Sequence, residues 1–443
     1  MNKTYLHFMA LNDKRTIRGW AFYDWANSAY YLVISTAIFP IYYASVTNET
    51  INVLDYELSN TAFYSFSISF AYILITILSP LLSGIADYAG RRMFFLRIFT
   101  IIGAMGCMIL FFFDSPQNTW IGTIGFILGA IGGAGGLVFY DSYLPLIASE
   151  DQYDKVSAKG YSYGYIGSVI LLVLSLVMIQ KPGWFGIVDT TLPPRISFVL
   201  VGIWWIGFSQ ITFSRLPKDI PIKNSNGLLT RGWHELVKVW QIIKRDKQIK
   251  LYLASYFFYT AGVNTVIYLA SIFASEELGF EKTELIITIL LLQLVAIPGA
   301  LFFARLSKIW GNKISLLLQL AIWMIICAGA YATTAKWEFF TIAGLVGMVL
   351  GGIQSLSRST YAKLLEDRTE DLTSFFSFYD VVSKVGIVSG TFLFGLVNSI
   401  TGSMRTSVLG LMLLFIFGFL LLLRVDKRRV NTPLSAFPGG FSG

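Results

Sequence analysis

The chain has 443 residues, 55% of them hydrophobic and 14% charged, with a formal net charge of +8 at pH 7. A soluble domain of this length has too little interior to hide so much apolar surface, so composition excludes an ordinary water-soluble enzyme and predicts an all-α polytopic membrane protein. The basic surplus gathers at the flanks of the apolar runs, which removes any need for nucleic acid as a partner.

Twelve runs are long enough to cross a bilayer: about 20–44, 61–84, 93–113, 119–142, 160–180, 195–214, 250–274, 284–305, 313–334, 338–361, 373–398 and 405–425. They carry Leu, Ile, Phe and Gly without alternation, which predicts helices rather than barrel strands. The first 19 residues are polar and the first apolar run is too long for a signal-peptide core, so no cleavable leader is expected. With the termini and even-numbered loops inside, 28 of the 34 lysines and arginines fall inside. Lys181, Arg195, Lys282, Lys336 and Arg405 fall outside, and Lys384 lies within a run. The positive-inside rule thus predicts cytoplasmic termini, and a multi-pass monomer in the inner membrane if the host is a bacterium.

The first run opens WAFYDWANSAYY at residues 20–31, where Asp24, Asn27, Ser28 and Tyr31 fall at i, i+3, i+4 and i+7 and form one polar stripe. A carboxylate in a lipid-spanning helix costs roughly 2.5 kcal/mol or more unless it faces protein or water. Either this stripe lines a wet interior on a solute or ion path, or Asp24 caps the helix start or pairs with Arg18. Asn48-Glu49-Thr50 matches a glycosylation acceptor, which matters only in a secretory-pathway host.

After the second run, Gly84 and Gly90 are expected to permit a tight turn, with Asp87 and the Arg91/Arg92 pair as charged contacts to neighbouring helix ends. Such a latch breaks when the cytoplasmic side opens; the alternative is a plain basic loop. In the fourth run Gly129, Gly132, Gly133, Gly135 and Gly136 give overlapping GxxxG spacings, suited to close helix packing. Asp141 near its inner end and Arg358 at a similar level in the tenth run either form an ion pair that closes an inner gate or are solvated separately. Residues 160–164, GYSYG, match a nucleophile elbow only formally, since they open a membrane helix and His7 and His234 lie outside the runs.

The loop 215–249 holds a helix candidate at 230–247, with Trp233, Leu236, Val237, Trp240 and Ile243 on one face. It is expected to lie on the anionic inner leaflet, with a partner-binding role as the alternative. In the seventh run Tyr256, Tyr259 and Asn264, with Tyr252, are either packing or a semi-polar cavity wall. Asp380 and Lys384 lie four apart in the eleventh run, so either they neutralise each other or Lys384 faces the cavity and holds a substrate carboxylate.

The runs divide six and six, giving units 1–214, 215–249, 250–425 and a tail 426–443. A duplication is legible: residues 84–92 and 305–313 stand 221 apart, Gly132-Gly133 and Gly351-Gly352 219 apart, and Cys107 and Cys327 220 apart. On that alignment Lys308 stands where Asp87 stands, so a second latch needs different chemistry. Both cysteines lie inside runs as small apolar side chains.

The stretch Gly84-x-x-x-Asp87-x-x-Gly90-Arg91-Arg92 is similar to the loop signature of the major facilitator superfamily. Taken with residues 23–30 (YDWANSAY), 140–145 (YDSYLP), 157–160 (SAKG), 164–167 (GYIG), 276–279 (EELG), 354–359 (QSLSRS) and Lys384, nearly the whole chain resembles its vacuole-effluxer-like branch. That resemblance implies two six-helix halves with a substrate site between them, and amino-acid export as one activity. The seventh run departs from the pattern: it reads Tyr259-Thr260-Ala261-Gly262, where relatives often carry an acid just before the glycine. If that acid couples protons elsewhere, this chain uses another group or another ion.

Three functions compete. A secondary transporter is expected to move a small solute, an amino acid or similar zwitterion, by proton-coupled alternating access, with Asp24 the leading candidate for proton or substrate binding; drugs, sugars and peptide fragments remain open. A lipid-acting enzyme lacks an HExxH, paired histidines or an Asp-rich phosphate motif. A receptor or scaffold lacks large soluble regions. No ATP-binding, metal or cofactor motif is present, so no cofactor is expected.

Overall fold

The computed structural model describes residues 11–53, 56–189, 191–219, 227–365, 368 and 370–431. Among these, twelve helices are long and apolar enough to cross a membrane. Spans 1 to 6 are Lys14–Val46, Asn60–Ala89, Arg92–Phe112, Pro116–Ile147, Glu150–Gln180 and Leu192–Arg215. Spans 7 to 12 are Lys247–Leu278, Lys282–Trp310, Asn312–Ala332, Lys336–Leu364, Leu372–Thr401 and Met404–Leu423. They are the twelve expected runs, mostly lengthened at polar ends, because capping side chains satisfy the first backbone donors. Asp13 accepts from Thr16 N at 2.8 Å and starts span 1, while Asp246 accepts from Gln248 N and Ile249 N at 2.9 and 3.2 Å and starts span 7. Asp13, not Asp24, is therefore the cap of span 1.

Spans 1–6 form one bundle and spans 7–12 the other, joined where span 5 meets spans 8 and 10 and where spans 2 and 4 meet span 11. Glycines set the tightest crossings. A side chain on Gly132 would run into the backbone of Gly103 in span 3, and one on Gly129 into the Tyr30 ring. Phe66, Phe70, Ile73 and Ile77 make an exposed ridge along span 2, and Val388 and Phe392 another on span 11. Such ridges suit lipid, not water.

Span 1 changes from α-helix to a π-helical stretch at Tyr30–Ile38, which takes in Tyr31 at the end of the polar stripe. A short antiparallel hairpin, Thr50–Val53 with Tyr56–Ser59, follows it. Two expectations change. Gly84 is not in a turn: it lies inside span 2, where its backbone meets Gly232, while Gly90 alone, at φ 61°, makes the turn to span 3. The linker helix runs Leu228–Arg245, and its buried line is Gly232, Leu236, Val239 and Ile243, packed on span 2. Trp233 is 57% exposed. The apolar stripe thus meets protein first, since two facing glycines let the backbones approach.

Candidate functional site

Arg358 of span 10 is 1% exposed and sits on the seam between the bundles. Its Nη1 donates to Asp141 Oδ1 of span 4 at 2.9 Å, and its Nη2 lies 3.4 Å from Asp24 Oδ2 of span 1. Its Nε donates to Ser157 Oγ at 2.9 Å and Nη2 to the Ser157 carbonyl at 3.0 Å, both on span 5. The guanidinium also rests over the rings of Trp20 and Tyr161, 4.7 and 4.3 Å from the centroids. Tyr140 donates its hydroxyl to Asp24 Oδ2 at 2.7 Å. Two carboxylates thus share one guanidinium, so with both ionised the cluster has room for one further positive charge: a proton or a cationic ligand group.

Local sequence explains how these groups meet. Span 5 carries Gly160 and Gly164 against span 1; a side chain at Gly160 would collide with the Asp24 carboxylate, and one at Gly164 with Ser28 Oγ. Asn27 is buried and its Oδ1 has no hydrogen-bond partner among the described residues. Tyr31 turns its hydroxyl toward Gly133 of span 4. The stripe of span 1 therefore faces other helices along its whole length.

A second group lies on the other bundle. A cavity of about 120 Å³ is lined by Tyr256, Tyr259, Thr260 and Asn264 of span 7, Gln354 and Ser357 of span 10, Tyr379 and Ser383 of span 11, and Tyr161 of span 5. Tyr259 OH lies 2.8 Å from Ser357 Oγ, and Asn264 Nδ2 donates to the Thr260 carbonyl at 2.9 Å. Tyr161 belongs to both groups, its ring under Arg358 and its edge on the cavity. Lys384 is not on that wall; it is buried and ion-paired with Asp380 one turn away.

The end of the molecule that carries residues 11 and 431 is closed. Asp87 accepts from Ser374 N and Ser374 Oγ at 2.7 and 2.8 Å, and from Thr373 N at 3.2 Å, at the first turn of span 11. Arg92 donates to Asp87 at 3.2 Å and to Thr373 Oγ1 at 2.8 Å. Arg91 takes no part in this latch; its guanidinium lies over Phe94. The reason is direction: Arg91 precedes span 3, whereas Arg92 starts it and points back to the seam.

A family model described as vacuole effluxer Atg22 like matches residues 12–432. The chain belongs to the Atg22-like family. An uncharacterised MFS-type transporter of Bacillus subtilis, YxiO, is 32% identical over 410 residues, covering 92% of this chain and 94% of the relative. Autophagy-related protein 22 of Vanderwaltozyma polyspora is 25% identical over 426 residues, covering 84% and 79%. Among solved structures, the major facilitator transporter FucP in the outward conformation aligns with a TM-score of 0.71 at 12% identity, over 94% of this chain and 100% of FucP. The human organic anion transporter MFSD10 aligns at 0.69 and 11%, over 93% and 100%. This Atg22-like protein is a multi-pass membrane transporter of the major facilitator fold, with the family and fold of transporters rather than enzymes.

Several groups of this Atg22-like site escaped the sequence reading as site residues: Trp20, Tyr140, Ser157 and Tyr161 around Arg358, and Asp154 with Lys363 at the seam. Asp154 accepts from Lys363 Nζ at 2.8 Å, Ser307 Oγ at 2.9 Å and Asn312 Nδ2 at 2.8 Å. Tyr140 and Ser157 lie within the stretches that carry the family resemblance and Tyr161 directly follows one, which is their one signal. Asp154 and Lys363 sit just at helix ends, where a charge reads as ordinary solvation.

Proposed function

We propose that this Atg22-like transporter is a secondary active transporter that exports a small zwitterionic or polar solute, an amino acid first among them, by alternating access coupled to protons. The observation that carries this reading is the pair of carboxylates, Asp24 and Asp141, drawn across the seam onto one buried Arg358. Protonating one acid, or drawing it onto a ligand ammonium, loosens the tie between bundles that the guanidinium makes. Asn27, Ser28 and Tyr31 then offer polar contacts from span 1, and Tyr256, Tyr259 and Asn264 from span 7. Lys384 serves a substrate carboxylate once parted from Asp380. Asp87 and Arg92 hold the closed end, Arg91 contributes only positive charge there, and Gly84 and Gly90 shape the backbone.

The Lys and Arg bias supports placing the closed, terminal end in the cytoplasm of a cell membrane, and residues 215–249 as the link between units 1–214 and 250–425. Likeness to FucP in its outward conformation supports an outward-facing state. FucP is a fucose:proton symporter, which favours the proton as coupling ion. In proteoliposomes, amino-acid flux is expected to follow an imposed pH gradient and to lose that dependence in Asp24→Asn; gradient-independent wild-type flux rules the coupling out. A second reading, a neutral sugar or polyol, is favoured by the 120 Å³ cavity, whose wall holds no carboxylate and no amine. The same assay with sugars separates the two.

A further inference from the structure

We infer that Asp154, Ser307, Asn312 and Lys363 form a second gate at the closed end, a copy of the Asp87 latch in which acid and hydroxyl have changed places between the bundles. In the first latch the acid stands at the end of span 2 and the hydroxyl in the first turn of span 11, Asp87 to Ser374 at 2.8 Å. In the second the hydroxyl stands at the end of span 8 and the acid in the first turn of span 5, Ser307 to Asp154 at 2.9 Å. Ser307 is 220 positions after Asp87, and Ser374 is 220 positions after Asp154. Arg92 and Asn312, again 220 apart, each donate to the acid of their own latch, at 3.2 and 2.8 Å. Aligning the loops on Gly90 and Gly311 shifts the register by one and puts Lys308 opposite Asp87, which hides the repeat. Lys308 is exposed, whereas Ser307 is buried on the seam.

The exchange changes what opening must break. Asp87 and Arg92 both belong to the first bundle, so their ion pair survives separation and only the hydrogen bonds to Thr373 and Ser374 are lost. Asp154 and Lys363 belong to different bundles and meet at 2.8 Å with both side chains nearly inaccessible. Their ion pair itself must part. Deleting either side chain leaves the other as an uncompensated buried charge in the closed state, so a single substitution at this gate disfavours closure.

The inference rests on the alternating-access reading, and the test keeps the two apart. Spin labels at Lys155 and Arg305, exposed positions on the two bundles, report the gap in purified protein lacking Cys107 and Cys327. Wild type is expected to give one dominant short distance. Asp154→Ser is expected to raise the long-distance population about tenfold or more, as is Lys363→Met. Adding Ser307→Asp to Asp154→Ser, which restores the arrangement of the first latch, is expected to return the distribution toward wild type. If the single variants do not fold, a folded double variant with the short distance still supports the exchange. Unchanged distances in Asp154→Ser, or no recovery in the double variant, overturn the second gate while Asp87→Asn and Arg358→Ala still move the labels. If no variant moves them, alternating access at this end fails with it.

Discussion

Gly160 shows how much one hydrogen atom decides. The Asp24 carboxylate and the Arg358 guanidinium occupy the space where its side chain would stand. Overpacking of this kind costs about 1–3 kcal/mol, here concentrated on the charged cluster rather than spread through a core. Gly160→Ala is therefore expected to insert and fold normally yet lose at least about tenfold in flux, because the acid is pushed off the guanidinium. Unaltered flux would show that Asp24 needs no close contact with Arg358. Arg358→Lys keeps the charge but not the fork that reaches Asp141, Asp24 and Ser157 together. Each buried acceptor left unpaired costs about 1–3 kcal/mol, so solute-driven flux is expected to fall by more than about tenfold. Lysine supporting wild-type flux would reduce Arg358 to a counter-charge.

At the scale of elements, the linker helix is a protein-packed strut. Gly232 on Gly84 fixes it to span 2, while Lys238 reaches Asp371 at 2.8 Å and Trp240 stacks on Phe378 of span 11. It therefore touches both sides of the closed seam. Gly232→Leu is expected to lift it from span 2, visible as new protease cleavage within 228–245; an unchanged digest would mean that the glycine contact is dispensable. The start of span 7 depends on Asp246. Burial alone would raise its pKa, but the N–H groups of Ile249 and Gln248, with Arg429 and Arg368, outweigh burial and hold it below the ordinary carboxylate value. A lowered folded pKa means that its stabilisation is present above the unfolded value, about 3.9, and is lost as pH falls through the folded value. Asp246→Ala is expected to lower stability by about 1 kcal/mol at pH 7. That deficit should shrink toward pH 3, as followed by thermal unfolding; a deficit constant across that range would assign the effect to packing.

For the whole molecule, two bundles meet along a seam whose closed end carries three polar clusters, around Asp87, Arg358 and Asp154. Charge placement along the chain predicts which side that end faces. A cysteine at Asn48, beside the hairpin, is expected to react with a membrane-impermeant thiol reagent in intact cells, and one at Arg428 only after permeabilisation. The reverse pattern would invert the topology and make the closed end external.

Composition and local spacing by themselves determined the class of this protein. Apolar runs that must satisfy their own backbone in lipid can only be helices, and the number, length and charge bias of such runs are local properties. The stripe from Asp24 to Tyr31, the turn at Gly90 and the pairing of Asp380 with Lys384 were likewise legible, since each lies within one or two helical turns. Only the tertiary structure decided that Arg358 serves two acids, that Gly84 packs in a helix, and that Asp154 meets Lys363. Those contacts join residues more than 140 positions apart, across the seam or between span 2 and the linker helix. Their register depends on glycine-controlled helix crossings, and no periodicity along the chain encodes which faces those crossings bring together.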